Sequence, residues 1–312
     1  MKQVLVTAPV HPVLLQGLQE SGTQVIYEPQ LDKAGLENRV ADNITGLVVT
    51  TRLPIDKTVL DKATHLRWVG RLGSGMELID AAYAQSKGIA LFSTPEGNSP
   101  AVAEHALGLL LAVFRNLVKG HNEVAVGQWL RDQNRGSELS GKTVGIIGYG
   151  HTGSAFARLL QPFQVQVLAV DKYKTGFDHA YVQQVTLEQL QAQAQVVSLH
   201  LPLTPETKHY ADESFFSSLQ QQPLFISTCR GGVTHTAALI NALQQQKISG
   251  AALDVLENEK LATLTEMEKA QLQFLTTQPN VVVTPHIAGY SHESYYRMAQ
   301  VLLQKLQAAG LL

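Results

Sequence analysis

Cysteine is almost missing from this chain: Cys229 is the only one among 312 residues. A single thiol cannot close an intrachain disulfide or supply a thiolate metal cluster. A disulfide-stapled secreted fold is therefore excluded, no metal site is expected, and the reducing cytoplasm is the expected location. Net charge is equally scarce. With 24 Lys+Arg against 26 Asp+Glu there is no positive excess to neutralise a nucleic-acid backbone. No run approaches the ~18 consecutive apolar residues of a membrane helix; the longest, Ala106–Val113, follows Glu104 and His105. Met1-Lys2 before Val4, Leu5 and Val6 opens like a signal peptide, but Pro9, His11 and Pro12 interrupt the apolar stretch at once, so a first β-strand is expected instead. No repeat of fixed period is visible. The triplets Gln220–Gln222 and Gln244–Gln246 read as solvated helix ends.

What is present is a chain with 45% hydrophobic residues and a length that favours two domains. Short apolar runs bounded by turn residues alternate with helical patterns, which predicts parallel strands joined by crossover helices. A first series covers Gln3–Thr7, Val25–Tyr27, Gly46–Val49, Leu66–Gly70 and Ile89–Phe92. Ser93–Pro100 has loop composition and precedes a helical stretch from Ala101 to about Lys119, which marks a domain junction. A second series covers Thr143–Ile147, Val165–Val170, Val196–His200, Leu224–Ser227, Gly250–Leu253 and Val281–Thr284, and Ser294–Leu312 is helical in pattern.

The strongest local signal is the run from Lys142 to Gly153, an apolar strand leading straight into G-x-G-x-x-G. Gly148 permits the tight strand-to-helix turn, Gly150 allows a pyrophosphate to approach the backbone, and Gly153 allows close helix–strand packing. The amides and positive end of the following helix, beginning around Tyr149, His151 and Thr152, then attract phosphate. Asp171 ends the next strand, 18 residues beyond Gly153. A carboxylate there would accept hydrogen bonds from ribose hydroxyls and repel a 2′-phosphate, favouring NAD over NADP. Lys172 and Lys174 oppose that preference in part.

The chain at this point resembles the D-isomer-specific 2-hydroxyacid dehydrogenases over nearly its whole length. The resemblance rests on four ordered blocks: Gly70-Arg71-Leu72-Gly73-Ser74-Gly75 with Asp80; the glycine motif with Asp171; Thr228-Cys229-Arg230-Gly231-Gly232; and Asp254 to Glu259 followed by Thr284-Pro285-His286-Ile287-Ala288-Gly289. It implies an α/β architecture of two doubly wound parallel-sheet domains. A Rossmann NAD-binding domain, 99–288, would be inserted into a flavodoxin-like substrate domain made of 1–98 and 289–312, and two connections would suit closure over a cleft. It also implies a catalytic trio of Arg230, Glu259 and His286. His286 would exchange the hydroxyl proton as hydride moves, Glu259 would orient its ring and raise its basicity, and Arg230 would bind the substrate carboxylate and polarise the carbonyl. Further cofactor contacts are implied at His200, Pro202, Thr207, Thr228, Cys229, Asp254, His286 and Gly289. Glu257 is the nearest rival to Glu259, and His105 and His200 read as structural or cofactor-adjacent. Three departures from the family pattern are Ser227 for asparagine, Lys260 for proline, and Glu77-Leu78 for Asp-Asn.

Substrate recognition is expected from the amides of Gly73, Ser74 and Gly75, with Arg230. Arg52 and Arg71 could hold a second anion, which makes 3-phosphoglycerate the leading substrate; if both arginines form surface ion pairs instead, glyoxylate, hydroxypyruvate or another small 2-oxo acid takes its place. Relatives of the C-terminal binding protein corepressor type offer another reading, an NAD(H)-sensing binding module. A homodimer is expected, with no nucleic-acid or membrane partner and no additional C-terminal regulatory domain.

Overall fold

Strands such as Gly46–Val49 and Leu224–Ser227 are apolar or small at nearly every position, a pattern that belongs to parallel strands covered on both faces. The computed structural model, which describes residues 2–312, places them in two such sheets. The first contains β1 (Gln3–Val6), β2 (Gln24–Tyr27), β3 (Gly46–Val49), β4 (Trp68–Arg71) and β5 (Ala90–Ser93), in the order β2-β1-β3-β4-β5. Every pairing is parallel, and this is the flavodoxin-like order. Because successive side chains point to opposite faces, Leu5, Leu47 and Val69 enter one apolar layer while Val4, Val6, Val48 and Trp68 enter the other. The second layer is completed by Ala299, Leu302 and Leu306 of the helix His292–Ala308, so the C-terminal segment packs with the first strands of the chain.

The second sheet contains β6 (Thr143–Ile147), β7 (Gln166–Val170), β8 (Val182–Gln184), β9 (Val196–Leu199), β10 (Leu224–Ser227), β11 (Gly250–Leu253) and β12 (Val281–Val283). Its order, β12-β11-β10-β9-β6-β7-β8, is the doubly wound Rossmann arrangement extended by one strand. Val144, Ile146, Val167 and Ala169 face one core layer, and Ile147, Leu168, Val197 and Phe225 the other. The chain divides into two compact units, one ending at Ser99 and resuming at Gly289–Leu312, the other Pro100–Ala288. No single helix among the described residues is long and apolar enough to cross a membrane.

Two elements differ from the sequence expectation. The turn-rich composition of Ser93–Pro100 predicts a loop, yet the chain is helical from Pro95 to Phe114. Pro95 opens the helix where an N–H would have no partner anyway, and Pro100, in the second turn, removes a single donor. The helical stretch is also not continuous to Lys119. It breaks at Asn116, which adopts a left-handed φ of 52°, and a separate helix, Leu117–Ala125, follows at a bend of 59°. The second difference is β8, a three-residue edge strand whose Val-Gln-Gln sequence carries no apolar run.

The fold assigns the last helix a stabilising role. Leu302 is fully buried, so Leu302→Ala should lower unfolding free energy by about 3 kcal/mol in a denaturant titration; a loss below about 1 kcal/mol would contradict that packing.

Candidate active site

Strand register fixes where the candidate residues stand. Val170, Ile147, Leu199, Ser227, Leu253 and Val283 are aligned across six neighbouring parallel strands. Asp171, Gly148, His200, Thr228, Asp254 and Thr284 are the residues that follow them. All six therefore emerge along one edge of the sheet, the carboxyl edge where open α/β sheets bind ligands.

The glycine turn fits a dinucleotide. Gly148 has φ +93°, and a Cβ on it would lie 2.4 Å from the His200 carbonyl oxygen; a Cβ on Gly153 would lie 2.0 Å from the Gly148 carbonyl oxygen. Gly150 is different, since a Cβ there would meet nothing within 4 Å. The open space lies at the start of the helix His151–Leu160, whose N-cap makes no side-chain hydrogen bond. Amides without a capping side chain, facing a volume that only glycine leaves open, suit a pyrophosphate. Tyr149 does not offer its own amide there, because that N–H donates to Asp171 Oδ2 at 2.7 Å while its ring turns inward and stacks on Phe177. Asp171 Oδ1 accepts from the amides of Tyr173 and Lys174 at 2.9 Å each. The carboxylate is thus fixed in orientation, and Oδ2 retains acceptor capacity for a ribose hydroxyl.

Of the other residues expected to meet the cofactor, His200 and Thr228 follow their strands at this edge and Cys229 comes next in the chain. Thr228 Oγ1 is buried without a hydrogen-bond partner among the described residues, a feature that suits a bound polar group. Cys229 is buried with its Sγ 3.5 Å from Ser227 Oγ. His200 bonds Ser198 Oγ at 2.9 Å, and burial pushes its imidazole down to about 4. Thr207 closes its own loop by donating to the Pro202 carbonyl at 2.6 Å. Gly289 lies in the first unit and accepts from Ser294 Oγ at 2.7 Å.

Glu259 and His286 come together: the carboxylate oxygens lie 2.8 and 3.0 Å from His286 Nδ1. Glu257, the rival carboxylate, instead accepts from His209 Nε2 at 2.6 Å and from the Thr236 amide at 2.7 Å, beside a concavity of about 410 Å³. His286 sits in a tight turn closed by its own amide on the Thr284 carbonyl at 3.0 Å, with φ +54°. A left-handed non-glycine residue costs on the order of 1 kcal/mol and needs surrounding contacts to hold it. Asp254 supplies them. Fully buried, it accepts from Thr284 Oγ1 at 2.6 Å, Ile287 N at 2.9 Å and Ala288 N at 2.7 Å, with His105 Nε2 3.4 Å away. Burial alone would push this carboxyl up, but the bonds from His105, Thr284, Ile287 and Ala288 outweigh it and hold it below the ordinary carboxylate range. Thr284 carries no signal of its own in the sequence; the Thr-Pro before His286 is its only trace.

Arg230 leads from β10 into a short turn and donates to the Cys229 carbonyl at 2.7 Å. A Cβ on the next residue, Gly231, would lie 1.8 Å from the Leu256 carbonyl oxygen, so the arginine turn packs directly on the segment leading to Glu259. In the first unit, two expectations need correction. Gly73 cannot offer its amide to a substrate carboxylate, because that N–H already donates to Thr94 Oγ1 at 2.7 Å; the expectation narrows to Ser74 and Gly75. Arg71 is not a surface group: it is buried, with Nη1 donating to the Leu72 carbonyl at 2.6 Å. Arg52 donates to the carbonyls of Thr7 and Pro29. Ser74 Oγ meets Asn98 Oδ1 at 2.9 Å.

The glycine turn is open at Gly150, and His286 is paired through Nδ1 with the Glu259 carboxylate. The sequence model of the D-isomer-specific 2-hydroxyacid dehydrogenase NAD-binding domain matches residues 107–288, and the chain belongs to that family. It is 30% identical to a D-3-phosphoglycerate dehydrogenase of Archaeoglobus fulgidus over 99% of this chain and 58% of that protein, so it spans little more than half the length of this relative. It is 30% identical to a hydroxypyruvate reductase of Thermotoga maritima over 97% of both chains. Among solved structures it is similar to a D-lactate dehydrogenase of Aquifex aeolicus complexed with NAD and lactic acid, with a TM-score of 0.83, 25% identity, and 99% of this chain and 96% of that one covered.

Two outcomes follow from this geometry. Gly150→Ala should leave the melting temperature unchanged but weaken NADH binding by about tenfold in a fluorescence titration, because the new methyl occupies only ligand space; unchanged affinity would refute the cradle. For His200, the unfolded chain binds a proton between the ordinary imidazole value near 6.5 and about 4 that the folded chain refuses. Stability should therefore fall by up to about 3 kcal/mol as pH drops through that window. His200→Gln should flatten the dependence in urea titrations at about pH 7 and about pH 4.5; an identical slope would remove His200 as its source.

Proposed function

We propose that the chain transfers hydride between nicotinamide and a D-2-hydroxy acid/2-oxo acid pair. The observation that carries this reading is the Glu259 carboxylate at 2.8 and 3.0 Å from His286 Nδ1. That contact supports a proton on Nδ1 facing the carboxylate, with Nε2 as the nitrogen that exchanges a proton with substrate. Bound NAD(H) supplies or accepts the hydride. In the reductive direction, His286 Nε2 delivers a proton to the carbonyl oxygen as the carbonyl carbon gains hydride, and the reverse step returns it. Arg230 anchors the substrate carboxylate and polarises the carbonyl, roles for which a permanently charged planar fork is suited. Asp171 selects NAD. Its rivals are otherwise engaged: Lys172 pairs with Glu206, and Lys174 Nζ approaches the Tyr149 carbonyl.

The unit Pro100–Ala288 takes the cofactor, and Ser74, Gly75, Arg52 and Arg71 are the proposed substrate-recognition residues of the discontinuous unit. The leading pair is 3-phosphoglycerate and phosphohydroxypyruvate, supported by two arginines at the carboxyl edge of the first sheet. A second reading, reduction of hydroxypyruvate or glyoxylate, is favoured by the engagement of Arg52 and Arg71 with backbone carbonyls. A homodimer is supported by the exposed apolar series Leu117, Val118, Val124, Val126, Trp129 and Leu130, in which Trp129 is 82% exposed. The single buried thiol suits a reducing cytoplasm.

A panel of phosphohydroxypyruvate, hydroxypyruvate and glyoxylate with NADH separates the substrates, and silence across it would favour an NAD(H)-sensing binding module. On the best substrate, His286→Ala should lower kcat by about 10² or more with NADH affinity unchanged; near-normal kcat would remove His286 from the acid/base role. Asp171→Asn, which deletes the charge and keeps an acceptor oxygen, should narrow the NAD/NADP ratio of kcat/KM by about tenfold. A constant ratio would shift selection elsewhere.

A further inference from the structure

His105 stands on the helix Pro95–Phe114, far in sequence from every residue given a chemical role above. Its Nε2 lies 3.0 Å from Thr284 Oγ1 and 3.4 Å from Asp254 Oδ1. The Thr284 hydroxyl is itself 2.6 Å from Asp254 Oδ1. A carboxylate held below its ordinary range can only accept, so the Thr284 proton points to Asp254 and Thr284 Oγ1 must accept from His105. That fixes the proton on His105 Nε2. Asp254 in turn accepts from the amides of Ile287 and Ala288, the two residues that follow His286. The turn between Thr284 and Ala288 is thereby held at both ends, with the left-handed His286 at φ +54° between them.

We propose that His105 is a positioning residue for His286: its Nε2–H, donated to Thr284 Oγ1, completes the polar chain through Asp254 that holds the strained catalytic turn. This rests on His286 being the proton-transfer group. His105 is 22% exposed at its side chain and its bond to Thr284 is partly buried, so a mobile water is a poorer partner for Thr284 Oγ1 than the fixed imidazole N–H. Without it, Thr284 Oγ1 keeps its bond to Asp254 but loses its donor, the turn is held less firmly, and the His286 ring spends less of its time where Glu259 and substrate meet it. Ground-state binding of cofactor and 2-oxo acid is not the function of this chain of bonds. Turnover is.

The test measures NADH oxidation with the best 2-oxo acid in wild type, His105→Leu, His105→Gln, Thr284→Val and His286→Ala. His105→Leu should lower kcat by about tenfold, with KM for the 2-oxo acid and the Kd of NADH within about twofold of wild type. His105→Gln should restore most of the rate, because its amide nitrogen reaches about as far as Nε2 and can donate. Thr284→Val keeps the side-chain shape and removes the hydroxyl, so it should lose kcat as His105→Leu does; if His105→Leu does not fold, this variant decides. Wild-type kcat in His105→Leu or Thr284→Val, or a His105→Gln variant as slow as His105→Leu, would overturn the proposal. Activity retained in His286→Ala would instead overturn the acid/base reading beneath it. A slow His286→Ala beside a wild-type-like His105→Leu sinks the positioning role alone.

Discussion

Six parallel strands of the larger sheet end level with one another, and the chemistry of the chain depends on that alignment. Pairing of Val170, Ile147, Leu199, Ser227, Leu253 and Val283 in register means that each strand releases its next residue at the same edge. A slip of one residue in any of them would exchange the side chains of its two core layers and displace its functional residue. The alternation of Val144 and Ile146 against Ile147 between two fully covered faces is what makes such a slip costly. Core packing therefore does two jobs, since the same apolar alternation that stabilises the sheet also sets the spacing of Asp171, Gly148, Thr228, Asp254 and Thr284.

The polar groups at this edge divide by burial, and burial decides their roles. Asp254 is sealed from solvent and has several donors around it, so losing one leaves a charge under-satisfied at a cost of about 1–3 kcal/mol; it holds backbone. Glu259 and His286 are about 40% exposed at their side chains, and an ion pair of that kind contributes little to stability. In the proposed reaction their contact matters for direction: it engages Nδ1 and leaves Nε2 for the substrate. A buried carboxylate thus holds the left-handed turn, and a solvent-accessible pair that takes the proposed chemistry stands on it.

Much of this was legible in the sequence because backbone constraints leave compositional marks. Gly148 could be read as the tight-turn glycine and Gly153 as the close-packing one, and a Cβ on either would lie within 2.4 Å of a carbonyl oxygen. Strands such as Gly46–Val49 and Thr143–Ile147 were legible from their apolar runs. β8 was not, because a Val-Gln-Gln edge strand buries only one side chain. The helix start at Pro95 was hidden by its turn-like composition, whose residues are also those that open helices. Hydrogen bonds between distant segments leave no mark at all. Nothing in the sequence tells that Glu257 turns to His209, that Arg71 folds back on Leu72, or that His105 reaches Thr284.

We propose the carboxyl edge of the seven-stranded sheet as a proton- and hydride-transfer site organised by the Glu259–His286 contact. Single-turnover reduction of a 2-oxo acid by prebound NADH tests it most directly, because product release cannot mask the chemical step. In Glu259→Gln the first-turnover rate should fall by about tenfold or more while the NADH Kd stays at its wild-type value. An unchanged first-turnover rate would contradict the claim.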